Sequence, residues 1–238
     1  MRYERLAAAL VEAGFTVHGH DHRGHGASQG ERARIPSLDT LIQDAVLVIE
    51  HLGLPERGRW ALFGHSLGGV MALRALQTGA LDPDALVLSS PYLRPARPPH
   101  PSLLRLLRGI ARVIPGLPLT RLDPEAMSRD PIEVAAYRDD PANYHRRVRL
   151  GTAAALVAAG EAALAPSAPV LALPTLALHG SEDRIADPAA TRELAERNPG
   201  LTHHEEPEGH HELFNDTCRE FVTSELVRWL RVRLGLTG

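Results

Sequence analysis

A glycine-flanked serine between a predicted strand and a predicted helix constrains this chain more than any other feature. Residues 64–69 read Gly-His-Ser-Leu-Gly-Gly and contain the pattern G-x-S-x-G. Apolar residues 60–63 precede the pattern as a predicted strand, and helical periodicity follows it over 67–77. This context predicts a sharp strand-to-helix turn on which the hydroxyl of Ser66 projects from the edge of a sheet.

The spacing of the glycines around Ser66 has a steric interpretation. Side chains two residues before and after the serine are expected to collide in so sharp a turn, which accounts for Gly64 and Gly68. The same turn places the N–H of Leu67 at a helix N-terminus, where it can stabilise an oxyanion. Ser66 is therefore the candidate nucleophile, and a glycine-rich turn with a helix-capping serine is the structural alternative.

The rest of the chain alternates short apolar runs with helical segments, which predicts a parallel sheet covered by helices on both faces. The predicted strands are 15–20, 60–63, 86–88, 175–178 and 201–205, and the predicted helices are 2–13, 38–52, 67–77, 188–197 and 216–234. Prolines interrupt this rhythm between about residues 92 and 174, which reads as an insertion over the main domain.

A serine nucleophile needs a general base and a carboxylate that orients the base. The chain has 13 histidines, so position must select among them. His210 and His211 follow the last predicted strand, and Asp183 follows the strand before it, where a carboxylate can point into the site. Glu182 is a weaker candidate, and Asp187 is placed to cap the helix that begins at Pro188.

Four segments together resemble the monoacylglycerol lipase and lysophospholipase group of α/β-hydrolases. The loop 21–32 resembles D-x-x-G-H-G-x-S, and 64–69 matches the nucleophile turn. Residues 178–183 resemble the acid-bearing stretch of the group, and 209–216 resemble G-x-H-E-x-x-N-E, which selects His211 over His210. The chain order serine, aspartate, histidine is also that of the α/β-hydrolases.

The resemblance implies an α/β-hydrolase core over residues 1–91 and 174–238, with a helical cap at 92–173 that shapes an acyl pocket. It implies hydrolysis of carboxylic esters, such as monoacylglycerols, lysophospholipids or similar acyl esters, through an acyl-enzyme. Ser66, Asp183 and His211 would form the triad, and no cofactor is expected. Two alternatives remain open at this point. One is a truncated, non-catalytic binding module, and the other is a peptidase or amidase, because one fold hosts several chemistries.

The beginning of the sequence departs from the pattern of the group, in which a strand and a His-Gly loop precede the first helix. Here residues 1–7 already read as that helix, so three strands are expected to be missing. One of them would lie centrally, between 15–21 and 60–63. Losing the loop removes a second oxyanion donor, which typically costs about 10²–10³-fold in rate. We expect a true start upstream of Met1, or else a repacked chain with impaired activity.

Composition and the remaining patterns exclude several partners. The net charge is −3, without a basic tail, so no nucleic acid is expected. A single cysteine, Cys218, forbids an intrachain disulfide and fits a cytoplasmic protein. The histidine-rich run 18–25 fits the loop of the resembling group better than a metal site. Residues 102–114 form an amphipathic helix that either docks on the core or touches a membrane surface through its arginines.

Overall fold

The computed structural model describes residues 2–35 and 37–236. The expectation about Met1 therefore lies outside the described residues. A four-stranded sheet runs through the centre of the molecule, with its strands parallel and in chain order. The strands are β1 (Ala61–His65), β2 (Ala85–Ser89), β3 (Thr175–Gly180) and β4 (Leu201–Glu206).

Helices connect the strands and cover the sheet. They are α1 (Glu4–Glu12), α2 (Leu38–His51), α3 (Leu67–Gln77), α4 (Pro101–Val113), α5 (Pro131–Asp139), α6 (Leu150–Ala163), α7 (Pro188–Arg197) and α8 (Arg219–Leu234). Asp187 caps α7 as expected, because its side chain accepts a hydrogen bond from the N–H of Ala189 at 2.9 Å. None of the described helices is long and apolar enough to cross a membrane.

Two hydrophobic layers form because successive strand residues point to opposite faces of the sheet. Leu86, Leu88 and Ala177 belong to the layer that contains residues of α2, α3, α6 and α7. Leu176 and Leu178 belong to the other layer, with residues of α1 and α8. This parallel sheet with helices on both faces agrees with the predicted α/β architecture.

The prediction of a strand at 15–20 is wrong. This run is extended, but no described strand pairs with it. Alternation of apolar and polar residues makes a strand only where a neighbour accepts and donates the ladder hydrogen bonds. Val17 and His18 in this run are exposed, and β1 stands at the edge of the described sheet beside β2 alone.

The loop that follows this run is organised around Asp21. The carboxylate of Asp21 accepts a hydrogen bond from the N–H of Ala27 at 2.9 Å, and its carbonyl accepts one from the hydroxyl of Ser28 at 2.6 Å. A Cβ at Gly26 would lie 2.1 Å from the Asp21 carboxylate, and Gly26 has a φ of +50°. Asp21 therefore holds the loop together, and a side chain does not fit at position 26.

Residues 92–173, which we call the insertion segment, contain α4, α5 and α6 between β2 and β3. Gly160 of α6 comes so close to the chain that a Cβ there would lie 2.0 Å from the carbonyl oxygen of Leu93. Helix α4 packs against α6, and it begins at Pro101 after an N-cap at His100, one residue before the predicted start.

The leucine face of α4 does not dock fully on the core. Ala111 is the one buried residue of this helix, while Leu106 is 60% exposed and Val113 is 80% exposed. Arg105 and Arg112 are also exposed. The structure therefore presents an apolar strip bordered by arginines to solvent.

Candidate active site

Ser66 occupies the predicted turn between β1 and α3 with an unusual backbone conformation. Its φ is 53° and its ψ is −114°, which a residue with a side chain rarely adopts. The turn is held by a hydrogen bond of 2.9 Å from the N–H of Ser66 to the carbonyl of Ser89 in β2. A Cβ at Gly64 would lie 2.2 Å from the carbonyl oxygen of Gly68, so only glycine fits at position 64.

The steric argument for Gly68 is wrong. A Cβ at this position would meet no other atom within 4 Å. The close approach is between Gly64 and the backbone of Gly68, so it is the side chain at 64 that is excluded. The second forbidden position is instead Gly69, where a Cβ would lie 2.8 Å from the Cβ of Pro91.

The structure brings the predicted base and acid to Ser66. The hydroxyl of Ser66 donates to Nε2 of His211 at 2.9 Å, and Nδ1 of His211 donates to Oδ2 of Asp183 at 2.6 Å. Since an ionised carboxylate only accepts hydrogen bonds, the proton lies on Nδ1 and leaves Nε2 free to accept one. His211 follows β4 and Asp183 follows β3, so parallel strands deliver both side chains to one edge of the sheet.

Asp183 is buried, and each oxygen of its carboxylate accepts two hydrogen bonds. Oδ1 accepts hydrogen bonds from the N–H groups of Ile185 at 2.7 Å and Ala186 at 3.0 Å. Oδ2 receives two histidine donors, His211 and His179. Burial opposes ionisation, yet the neighbouring His211 and the hydrogen bonds from both histidines hold the pKa of this carboxyl well below its usual range.

His179 at the end of β3 is the residue that the sequence analysis missed. It is fully buried, and its Nε2 lies 3.1 Å from Oδ2 of Asp183 and 3.3 Å from the carbonyl oxygen of Ala186. Both neighbours are acceptors, so Nε2 carries the proton, and Nδ1 faces the hydroxyl of Thr191 at 2.7 Å. Its place in the segment 178–183 was the available signal, because the same short stretch carries the acid.

A third histidine, His65, packs against the ring of His211 with the ring centroids 4.8 Å apart. Its Nδ1 lies 3.2 Å from the hydroxyl of Ser89. Burial, reinforced by the nearby His211, lowers the pKa of His65 to about 3. At neutral pH His65 is therefore uncharged and adds no positive charge beside His211.

The loop that carries His211 is anchored to the insertion segment. The N–H of His211 donates to the carbonyl of Ala126 at 3.3 Å, and the N–H of Glu212 donates to the carbonyl of Met127 at 2.8 Å. His210 lies away from Ser66, with its Nδ1 3.1 Å from the carbonyl oxygen of Glu125. The structure thus separates the two adjacent histidines that the sequence offered as a base.

Other predicted features of the site also have a place. The N–H of Leu67 is the first of α3, at the end of a helix where N–H groups have no intrahelical partner. Among the described residues, no group of three or more histidine, cysteine, aspartate or glutamate side chains is placed to hold a metal ion. In the histidine-rich run, burial and the nearby His20 and His25 lower the pKa of His22 to about 4.

Comparison with known proteins identifies the family. A protein-family model described as "Serine aminopeptidase, S33" matches residues 1–218. The monoacylglycerol lipase of Mycolicibacterium smegmatis is 33% identical over 238 residues, which cover 96% of this chain and 82% of the relative. The chain belongs to the family that this model describes. The monoglyceride lipase of Rattus norvegicus is 29% identical over 247 residues, covering 100% of this chain and 80% of the relative.

A solved structure extends the likeness to three dimensions. The crystal structure of Paleococcus ferrophilus monoacylglycerol lipase matches with a TM-score of 0.86 and 32% sequence identity, covering 98% of this chain and 89% of that chain. The resemblance to the monoacylglycerol lipase group is therefore confirmed. This member of the family is an α/β-hydrolase of the monoacylglycerol lipase type and a serine ester hydrolase.

Proposed function

We propose that this protein hydrolyses the acyl ester of monoacylglycerols or similar lipids, with Ser66 as nucleophile, His211 as general base and acid, and Asp183 as the group that orients His211. The observation that carries the proposal is the continuous hydrogen-bonded chain from Ser66 through His211 to Asp183, with distances of 2.9 Å and 2.6 Å. The names of the relatives support the same substrate class.

The proposed reaction has two steps. The Oγ of Ser66 attacks the ester carbonyl while its proton passes to Nε2 of His211, and the carbonyl oxygen becomes an oxyanion near the N–H of Leu67. The C–O bond to the alcohol then breaks, and the alcohol leaves with the proton from His211. Water attacks the acyl-enzyme in the same way, and it releases the fatty acid and restores Ser66.

Replacement of Ser66 by alanine tests the proposal. We expect kcat for a monoacylglycerol or a p-nitrophenyl acyl ester to fall by about 10⁴-fold or more, since the acyl-enzyme cannot form. A fluorophosphonate should label the unchanged protein at Ser66 and leave Ser66→Ala unlabelled. Ser224→Ala, at an exposed position on α8, is the matched control. Equal rates in the two variants, or a folded protein without an adduct at Ser66, would favour a non-catalytic binding module.

We further propose that the insertion segment, residues 92–173, is a cap that shapes the acyl pocket and touches membrane surfaces transiently through α4. Exposed Leu106 and Val113 supply an apolar strip. Exposed Arg105 and Arg112 lie beside it and suit anionic lipid headgroups. Such contact would let a lipid substrate leave a bilayer without complete exposure to water.

We place this enzyme in the cytoplasm. The proposal rests on its single cysteine, Cys218, which is free in the structure. A reducing compartment keeps such a thiol from forming intermolecular disulfides.

A further inference from the structure

Three charged side chains lie buried beside the loop that carries His211, and the proposed reaction does not use them. They are Arg2, which precedes α1, Glu133 of α5, and Glu212, the residue after His211. Their side chains are 12%, 10% and 13% exposed. We call these three side chains the charged cluster. Burial of charge at this level is unfavourable unless each group finds a partner of opposite charge.

Arg2 lies between the two carboxylates and pairs with both. Its Nη2 donates to Oε2 of Glu212 in a close ion pair. Its Nη1 lies 3.4 Å from Oε2 of Glu133 and 3.3 Å from the carbonyl oxygen of the same residue. The other oxygen of Glu133 accepts a hydrogen bond from Arg5 at 2.7 Å. The guanidinium of Arg2 also lies 5.5 Å from the ring centroid of Tyr137 on α5. Arg2 is therefore the group that joins α5 to Glu212.

Asn215 fixes Glu212 and Arg2 from another direction. Its side-chain amide donates to Oε2 of Glu212 at 3.0 Å and to the carbonyl oxygen of Arg2 at 3.2 Å. Asn215 is buried at the end of the short 3₁₀ helix Leu213–Asn215 that follows Glu212. The N–H of Glu212 donates to the carbonyl of Met127. Glu212 is thus held both at its backbone and at its carboxylate.

The charged cluster joins three parts of the chain beside His211. Glu133 belongs to the insertion segment, Arg2 to the residues before α1, and Glu212 to the loop after β4. A shift of the Glu212 backbone moves His211, because one planar peptide bond joins the two residues. His211 must present Nε2 to the hydroxyl of Ser66, which lies 2.9 Å away. A misplacement of about 1 Å in such a geometry can cost about 100-fold in rate.

We propose that Arg2 is a positioning residue for hydrolysis at Ser66, because its ion pair with Glu212 holds the loop of His211 in place against the insertion segment. Arg2 acts through Glu212 and not on the reacting atoms. A guanidinium suits this role, since its planar fork offers separate N–H donors to two carboxylates. The inference rests on the proposed function and deepens it by naming a residue that aligns the base from outside the triad.

Loss of the charge of Arg2 affects the two carboxylates unequally. Glu133 keeps Arg5 as a cationic partner. Among the residues that the structure describes, the amide of Asn215 is then the one side-chain partner left to Glu212. A buried carboxylate without a cation is strongly unfavourable, so Glu212 is expected to turn towards water and to shift the backbone beside it. The effect should therefore fall on kcat, which depends on the alignment of His211.

Four variants test this role. Arg2→Gln removes the charge, and Arg2→Lys keeps the charge without the planar fork. Arg2→Gln combined with Glu212→Gln removes both charges of the pair. Arg5→Gln is the matched control, because it makes the same replacement in a partner of Glu133 and leaves the ion pair between Arg2 and Glu212 intact. Each protein is assayed on a water-soluble p-nitrophenyl ester, and its folded fraction is measured by circular dichroism.

We expect Arg2→Gln to lower kcat of the folded protein about 10-fold, with KM changed by less than about 2-fold. Arg2→Lys should lose only about 3-fold, since the ammonium still neutralises Glu212. The double variant should recover part of the loss, because no unpaired carboxylate remains beside His211. Arg5→Gln should stay within about 2-fold of the unchanged protein in both constants, because it leaves Glu212 paired.

The proposal is overturned if Arg2→Gln lowers the melting temperature and leaves kcat of the folded protein unchanged, as a purely structural role predicts. A rise in KM alone, or equal losses of kcat in Arg2→Gln and Arg5→Gln, would also overturn it. If Arg2→Gln does not fold, Glu212→Gln decides, since a lower kcat supports the alignment of His211 and an unchanged kcat contradicts it. Failure of the proposed function appears separately, as no ester hydrolysis by the unchanged protein.

Discussion

The carboxyl-end edge of the sheet and the insertion segment differ in the burial of their side chains and in how many of their polar groups have partners. At the sheet edge, Asp183 and His211 are buried and every nitrogen or oxygen of their side chains has a partner. In the insertion segment, Leu106 and Val113 are exposed, and Arg121, Arg138 and Arg146 form no ion pair among the described residues. The first region is a buried, fully hydrogen-bonded polar network, and the second exposes apolar and cationic side chains to solvent.

The largest expected effect tests how tightly the sheet edge is packed. Gly64→Ala places a Cβ 2.2 Å from the Gly68 carbonyl oxygen, so the turn must distort. We expect a loss of about 3 kcal/mol in the free energy of unfolding and near-complete loss of hydrolysis. Gly68→Ala meets no neighbour and lies in a helix, so it should change stability by less than about 1 kcal/mol. Urea denaturation and ester hydrolysis measure both.

Similar losses of stability in these two variants would contradict the asymmetry of the turn. A Gly68→Ala variant that folds normally but is inactive would instead show that substrate, rather than the protein, needs the space above Gly68.

The next effect concerns His179 as a positioning residue behind Asp183. His179→Phe removes the donor to Oδ2 and should lower kcat about 10-fold with KM nearly unchanged, because Asp183 would hold His211 less firmly. His179→Gln can place an amide N–H near the same oxygen and should recover most of kcat. Thr191→Val removes only the hydroxyl that faces Nδ1 and should have a smaller effect.

Steady-state kinetics and thermal unfolding are measured together for these variants. A purely structural role for His179 predicts a lower melting temperature in the phenylalanine and glutamine variants with an unchanged kcat in the folded fraction. That outcome would show that His179 does not position Asp183 and that only Asp183, His211 and Ser66 act together.

The smallest expected effect tests the open surface of the insertion segment. Leu106→Gln combined with Val113→Gln should weaken binding to vesicles with anionic lipid by about 5-fold, since partial burial of the two exposed apolar side chains together contributes about 1 kcal/mol. Leu47→Gln combined with Val232→Gln alters similarly exposed positions on α2 and α8 and is the control. Hydrolysis of a monomeric ester should be the same in all three proteins. Equal vesicle binding by both double variants would contradict the membrane contact.

Much of the fold follows from local patterns. Helices α3 and α7 have the predicted bounds, and four of the five predicted strands are present within a few residues. The run 15–20 fails because strand formation depends on a partner, which its own alternation cannot supply. Helices α5 and α6 were missed because their boundaries lie inside a proline-interrupted region, where α6 is apolar on all sides and has no clear periodicity.

In the site, too, some residues could be predicted from local patterns and others could not. The turn and the strand ends indicated Ser66, Asp183 and the adjacent pair His210 and His211, because they fix where such side chains can emerge. The resemblance to the monoacylglycerol lipase group then selected His211. The sequence analysis passed over His179, although this residue lies in the same short segment as Asp183, because its role depends on a side-chain contact with Asp183 that only the structure shows. The sequence pattern also gave the wrong reason for Gly68. A side chain at position 64 would clash with the backbone of Gly68, but a side chain at position 68 would not clash with Gly64.

The sequence by itself determined the parallel α/β core, the nucleophile turn and the order of the candidate triad, because these depend on periodicity and short-range geometry. Only the tertiary structure decided which glycine is sterically required, which histidine supports Asp183, and which arginines of the insertion segment are left without a counter-ion. Each of these depends on distances between particular atoms, even where the residues are only four positions apart, as Gly64 and Gly68 or His179 and Asp183 are. Such distances are set by packing in three dimensions rather than by the sequence pattern.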